Sequence, residues 1–129
     1  MNKEIIVMLG ALLLSSSAYS ISPAQVEFDV NAISSRLPMK LDDDSTLRRL
    51  LFLDSLSYKG VIYSLRFDHL DQQSIKSMEV KLKAHLKSKM CTSKWSRSVL
   101  DSGFSIDYVY EDRNGKPAVG DRLVAKDCK

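Results

Sequence analysis

Apolar side chains recur along this chain at two different spacings, and each spacing predicts an element. Val26, Val30, Ile33 and Leu37 step by four, three and four, the stripe of an amphipathic helix. "SPAQ", Ser22 to Gln25, opens it: Ser22 caps, Pro23 suits the first helical position, and Gln25 completes a capping box. Pro38 ends it. Val61, Tyr63, Leu65 and Phe67 instead alternate with Ile62, Ser64, Arg66 and Asp68, the clearest strand in the chain. Between these two lie "LDDDST", Leu41 to Thr46, read as a turn, and then "LRRLLFLD". In the latter, Leu47, Leu50 and Leu51 fit a short helix, whereas Leu47, Leu51 and Leu53 with Arg49 fit a strand. A strand is preferred, because across the "SYKG" turn it pairs with the strand that follows.

Asp71 or Ser74 caps the longest helix, whose stripe is Ile75, Met78, Leu82, Leu86 and Met90 and whose end carries Cys91. "TSKWSRSVLDSG" predicts a short further helix, with Gly103 available for the left-handed position after it. Phe104, Ile106, Tyr108 and Tyr110 alternate again, Asn114-Gly115 offers a tight turn, and "KPAVGDRLVAKDC" returns. The predicted order is α-β-β-α-β-β. Segregated helices and hairpins disfavour a parallel sheet, so the expected fold is α+β. It has an antiparallel sheet of about four strands with helices on one face, leaving the other face to solvent or a partner.

The first residues change the picture by adding a compartment. Lys3, weakened by Glu4, precedes the apolar run Ile5 to Leu14, and "SSSAYS" places Ala18 and Ser20 before a cut at Ile21. That is the layout of a secretory signal peptide over residues 1–20, leaving 21–129 as a single domain in the periplasm or outside the cell. The apolar run is shorter than the roughly 20 residues a membrane span needs, so no stable span is expected after cleavage. Lys3 and Glu4 cancel, so the mature part keeps the formal charge of +3, a surplus too small to point to nucleic acid. Cys91 and Cys128, an even pair in an oxidising compartment, read as a disulfide.

Candidate chemistry is sparse. His69 and His85 are the only histidines, neither with a His or Cys at helical spacing for zinc. Asp42, Asp43 and Asp44 lack the alternation, mid-loop glycine and final glutamate of a calcium loop. No serine sits in Gly-x-Ser-x-Gly, and no nucleophile, base and orienting group suggest themselves. The expectation is a protein without cofactor or metal that is not an enzyme. Candidate binding residues are Trp95, the only tryptophan, the pair Tyr108 and Tyr110, and Lys83 and Lys87 in the lysine series of the long helix. Each has a plain alternative, the aromatics as core and the lysines as a solvated face.

The stretch from Cys91 through "GFSIDYVYEDRNG" to the terminal "KDC" resembles a broad group of small exported proteins of Gram-negative bacteria. These share a helix-ending cysteine, a Y-x-Y-x-D-x-x-G hairpin and a closing cysteine. The matching residues are Cys91, Gly103, Tyr108, Tyr110, Asp112, Gly115 and Cys128. The resemblance implies fold and compartment and carries no activity. By subtraction, the leading expectation is a periplasmic domain that binds another envelope or exported protein, in the manner of an immunity or inhibitor protein against a toxin or hydrolase. The second is an accessory subunit of a secretion, pilus or conjugation apparatus.

Overall fold

Helix α1, Pro23–Ser34, begins where the sequence places it, with Ser22 Oγ accepting from the Gln25 N–H at 3.1 Å. The Gln25 side chain does not close a capping box; its Nε2 donates to Asp29 instead, at 2.9 Å. The computed structural model describes residues 20–129. The predicted signal peptide therefore lies almost wholly outside the described residues. Strand β1, Met39–Asp42, is a short element that the pattern did not reveal. It turns through Asp43 and Asp44 into β2, Ser45–Asp54, which is a strand and not a helix. A loop of Ser55 to Tyr58 leads into β3, Lys59–Phe67. Asp71 caps α2, Gln72–Ser77, through a 2.8 Å bond from the Ser74 N–H. What reads as one long helix is broken at Met78, and α3 resumes over Glu79–Thr92. Helix α4, Lys94–Asp101, is followed by Gly103 at φ +92°, then β4, Ser105–Glu111, and β5, Pro117–Leu123. A single 3₁₀ turn, Ala125–Cys128, closes the chain.

The sheet has five strands in the order β1-β2-β3-β4-β5, and it is mixed. β1–β2, β2–β3 and β4–β5 are antiparallel, but β3 and β4 run parallel, with Val61 opposite Ile106 and Tyr63 opposite Tyr108. This corrects the expectation of four antiparallel strands. The three helices between β3 and β4 are long enough to carry the chain back to the start of the sheet, so β4 enters beside β3 in the same direction. They serve as one crossover connection, which the segregation of helices from hairpins concealed.

The helices share one core with one sheet face. Val26, Val30 and Ile33 of α1, Leu82, Leu86 and Met90 of α3, and Trp95 and Val99 of α4 pack with Leu50, Val61, Tyr63, Leu65, Ile106, Tyr108 and Tyr110. Phe67 stacks on Tyr110 at 5.3 Å between centroids, and Tyr110 meets Tyr108 edge-on at 5.4 Å. Cys91 of α3 is bonded to Cys128, with Cα atoms 5.4 Å apart, which fastens the chain end to the helix layer. The β4–β5 turn is organised by Asp112, whose Oδ1 accepts from the Asn114 and Lys116 N–H groups. Only Gly115 there takes positive φ, +81°; Asn114 does not, so the turn is longer than an Asn-Gly two-residue turn.

Candidate functional site

The structure buries three of the residues that the sequence offered as binding anchors. Trp95 is 3% exposed and donates Nε1–H to Asp29 Oδ2 at 3.2 Å, linking α4 to α1. Tyr108 and Tyr110 lie beneath the helices in the core. None of the three is accessible to a partner, so the plain alternative is the correct one for the aromatics. For the two tyrosines the physical reason is parity: they share a strand face with Ile106, and that face carries the helices. Trp95 lies on the buried side of α4. Lys83 is half-buried, ion-paired to Glu79 at 2.8 Å and 4.0 Å from Asp121 of β5. Hydrogen bonding to Glu79 raises its pKa. Lys87 is exposed one turn further along, and both lysines line a shallow groove of about 310 Å³ between α3 and β5.

A second concavity, of about 420 Å³, lies between the β1–β2 turn, the end of β3 and the start of α3. Phe67, Leu70, Met78 and Leu82 give it an apolar lining, with Asp42, Asp44 and His69 among its polar groups. Asp42 already accepts from the Asp44 N–H and the Ser45 hydroxyl. Burial acts to raise its pKa, but those bonds outweigh it and hold it down. His69 Nε2 lies 3.2 Å from the Asp43 carbonyl. Among the described residues, no group of three or more His, Cys, Asp or Glu side chains could hold a metal ion.

The sheet face opposite the helices is the one the sequence left to solvent or a partner, without naming the residues on it. Strand register sorts it into two halves. At one end Thr46, Arg66 and Glu111 lie side by side across β2, β3 and β4. There charge is matched internally: Asp68 accepts from Arg66 Nε at 2.8 Å, Lys40 Nζ at 3.0 Å and the Thr46 hydroxyl, and Arg48 reaches Glu111 at 2.9 Å. At the other end the face is apolar. Leu51 lies opposite Ile62 and Leu53 opposite Gly60, with Val109 one row further along on β4. Leu51 is 48% and Leu53 46% exposed, and Leu56 in the adjoining loop is fully exposed. Arg122 closes the far side, forked onto Asp107 at 2.9 and 3.1 Å with its guanidinium 5.2 Å from the Tyr58 ring centroid.

A solvated face of an antiparallel strand ordinarily carries polar residues. Large exposed apolar groups grouped on one rigid surface mark an interaction site more specifically than scattered ones do. The signal was present in "LRRLLFLD", where leucines occupy both parities of one strand.

No protein-family model matches the chain, and no curated protein matches it. Its fold does match solved structures. One is a proposed secreted protein of Pseudomonas aeruginosa, with a TM-score of 0.65 at 14% identity, covering 85% of this chain and 98% of that one. Another is EpsS, the pilotin of the Vibrio vulnificus type 2 secretion system, with a TM-score of 0.57 at 16% identity over 83% and 91% of the two chains. A third is AspS, the type II secretion system pilotin of Vibrio cholerae, with a TM-score of 0.54 at 17% identity over 96% and 98%. At these identities the likeness establishes a shared fold.

Proposed function

We propose that this chain is a non-catalytic accessory protein of an envelope secretion apparatus, acting by binding another envelope protein through the apolar half of its open sheet face. The observation that carries this reading is the fold, shared over most of both chains with two pilotins of type II secretion systems. The exposed Leu51, Leu53 and Leu56 supply the surface such a role needs. A rigid, disulfide-fastened sheet suits it as well, because little ordering entropy is lost on docking. Of the two expectations drawn from the sequence, the accessory subunit is favoured over the immunity or inhibitor protein, which has no counterpart among the matched structures. A periplasmic or secreted location, read from the leader and the paired cysteines, agrees with all three neighbours.

Deleting the gene in its source bacterium tests the proposal. The expected outcome is a marked loss of one class of exported proteins from the medium, with those proteins retained in the periplasm and export restored by the wild-type gene. Unchanged secretion, together with sensitivity to a toxin that the chain neutralises, would move the assignment to the inhibitor class.

A further inference from the structure

The outer edge of β2 lacks a neighbouring strand along half its length, and α1 reaches it at Leu50, whose carbonyl takes the Ser34 hydroxyl. β1 pairs with β2 only from Ser45 to Leu47, so from Arg49 to Asp54 the outer edge of β2 has no neighbouring strand. Backbone direction along that edge follows from one hydrogen bond. Ser34 Oγ donates to the Leu50 carbonyl, which must therefore face away from β3. Alternation then turns the N–H and C=O groups of Phe52 and Asp54 outward too. The bond from Ser55 N–H to the Tyr58 carbonyl, which closes the hairpin, fits the same alternation. Natural proteins blunt such edges with proline, bulges, inward charges or a covering element. Here the bulge sits lower, between Leu47 and Arg49, and the exposed stretch is flanked by Leu51 and Leu53.

We infer that this edge is a strand-addition site, and that its occupant is an extended segment of a partner protein with apolar side chains at alternate positions and a carboxylate placed beside Arg49. The inference rests on the reading of the chain as a partner-binding protein and names that partner's chemistry. Strand addition gives affinity through main-chain hydrogen bonds and specificity through alternate side chains. Phe52 and Asp54 offer the main-chain groups, and Leu51 and Leu53 receive the alternate side chains. Charge decides what else the segment carries. Around the open face Lys40, Arg48, Arg66 and Arg122 each lie within 4.0 Å of a carboxylate of this chain. Arg49 is exposed and has no carboxylate partner among the described residues. An acidic residue in the added strand completes it.

A random-peptide phage library panned on the disulfide-intact protein tests this without knowledge of the natural partner. Recovered peptides are expected to alternate apolar and polar residues around one Asp or Glu. Arg49→Glu should shift selection toward Lys or Arg at that position. Leu53→Lys should weaken a selected peptide by about tenfold or more, the scale of an interface anchor. Both substitutions are on exposed side chains, so unchanged melting serves as the folding control. Bound peptide should also slow hydrogen exchange at the Phe52 and Asp54 amides. Peptides with helical spacing, a charge preference indifferent to Arg49→Glu, or protection confined to other elements would overturn the inference. So would a concentration-dependent dimer abolished by Leu53→Lys, since a second copy would then fill the edge. Undiminished co-purification of Arg49→Glu and Leu53→Lys with secretion components would overturn the edge and leave the secretion role standing. Strand-type peptides recovered from a protein whose deletion leaves secretion unchanged would support the edge and remove that role.

Discussion

Two aspartates on this chain respond to pH in opposite senses, and the difference lies in what surrounds each carboxylate. Asp29 is buried between α1 and α4, and its two oxygens accept from the neutral donors Gln25 and Trp95. Burial raises its pKa, and those hydrogen bonds offset the rise only in part. A carboxyl whose folded pKa exceeds its unfolded value contributes most to stability when protonated, and that contribution is lost as pH rises through the folded pKa. Asp29→Asn is therefore expected to melt at or above wild type at pH 7, with the difference shrinking below pH 4, as measured by thermal unfolding across pH. Asp68 is the reverse case. Burial acts to raise its pKa, but hydrogen bonds from Arg66, Lys40 and Thr46 win and hold it at about 2. Its contribution is present above the unfolded carboxylate value of 3.8 and is lost as pH falls toward 2. Asp68→Asn should cost on the order of 1 kcal/mol at pH 7, a figure discounted for the screening of the largely exposed Lys40. Chemical unfolding should show that cost vanish near pH 2.

At the scale of elements, one bulge explains why the sequence misplaced the surface. Simple alternation puts Leu47, Leu51 and Leu53 on one face of the second strand. The register shift between Leu47 and Arg49 adds a residue, so Leu47 stays in the core while Leu51 and Leu53 emerge on the open face. Helix starts were legible because their signals are local: Ser22 and Asp71 both cap as their side chains predict. The break at Met78 was not, since the buried stripe of Ile75, Leu82 and Leu86 runs through it unchanged. The disulfide was legible from cysteine count and compartment, and its role depends on where β5 lies. β5 is an edge strand at the chain end, and Cys128 ties the 3₁₀ turn after it to α3. With the bonded positions 37 apart in sequence, the chain-entropy model gives the tie about 4 kcal/mol. Cys128→Ser should lower the melting temperature and open residues 117–129 to proteolysis first. Equal melting of wild type in reducing and oxidising buffer would contradict this.

Across the whole molecule, the α+β class, the helices on one face and the open opposite face were readable from periodicity. The parallel β3–β4 pairing was not, because strand direction depends on where a helical crossover returns the chain, and periodicity does not encode that. The same limit applies to the site. Sequence reasoning drew its binding candidates from aromatic and basic residues by type, each with core or solvated face as the plain alternative; Trp95, Tyr108 and Tyr110 are core, and the exposed apolar groups on the open face are leucines. What remains is a rigid sheet with one face committed to helices and the other half ion-paired and half apolar. The central claim is that the apolar half meets a component of a secretion apparatus. A photo-crosslinking residue placed at Leu53 in living cells tests it most directly, with the exposed Val80 on α3 as the control position. The account predicts a discrete adduct with an envelope secretion component from position 53 and none from position 80. Adducts from position 80 alone, or no adduct from 53 while the protein is folded and exported, would contradict it.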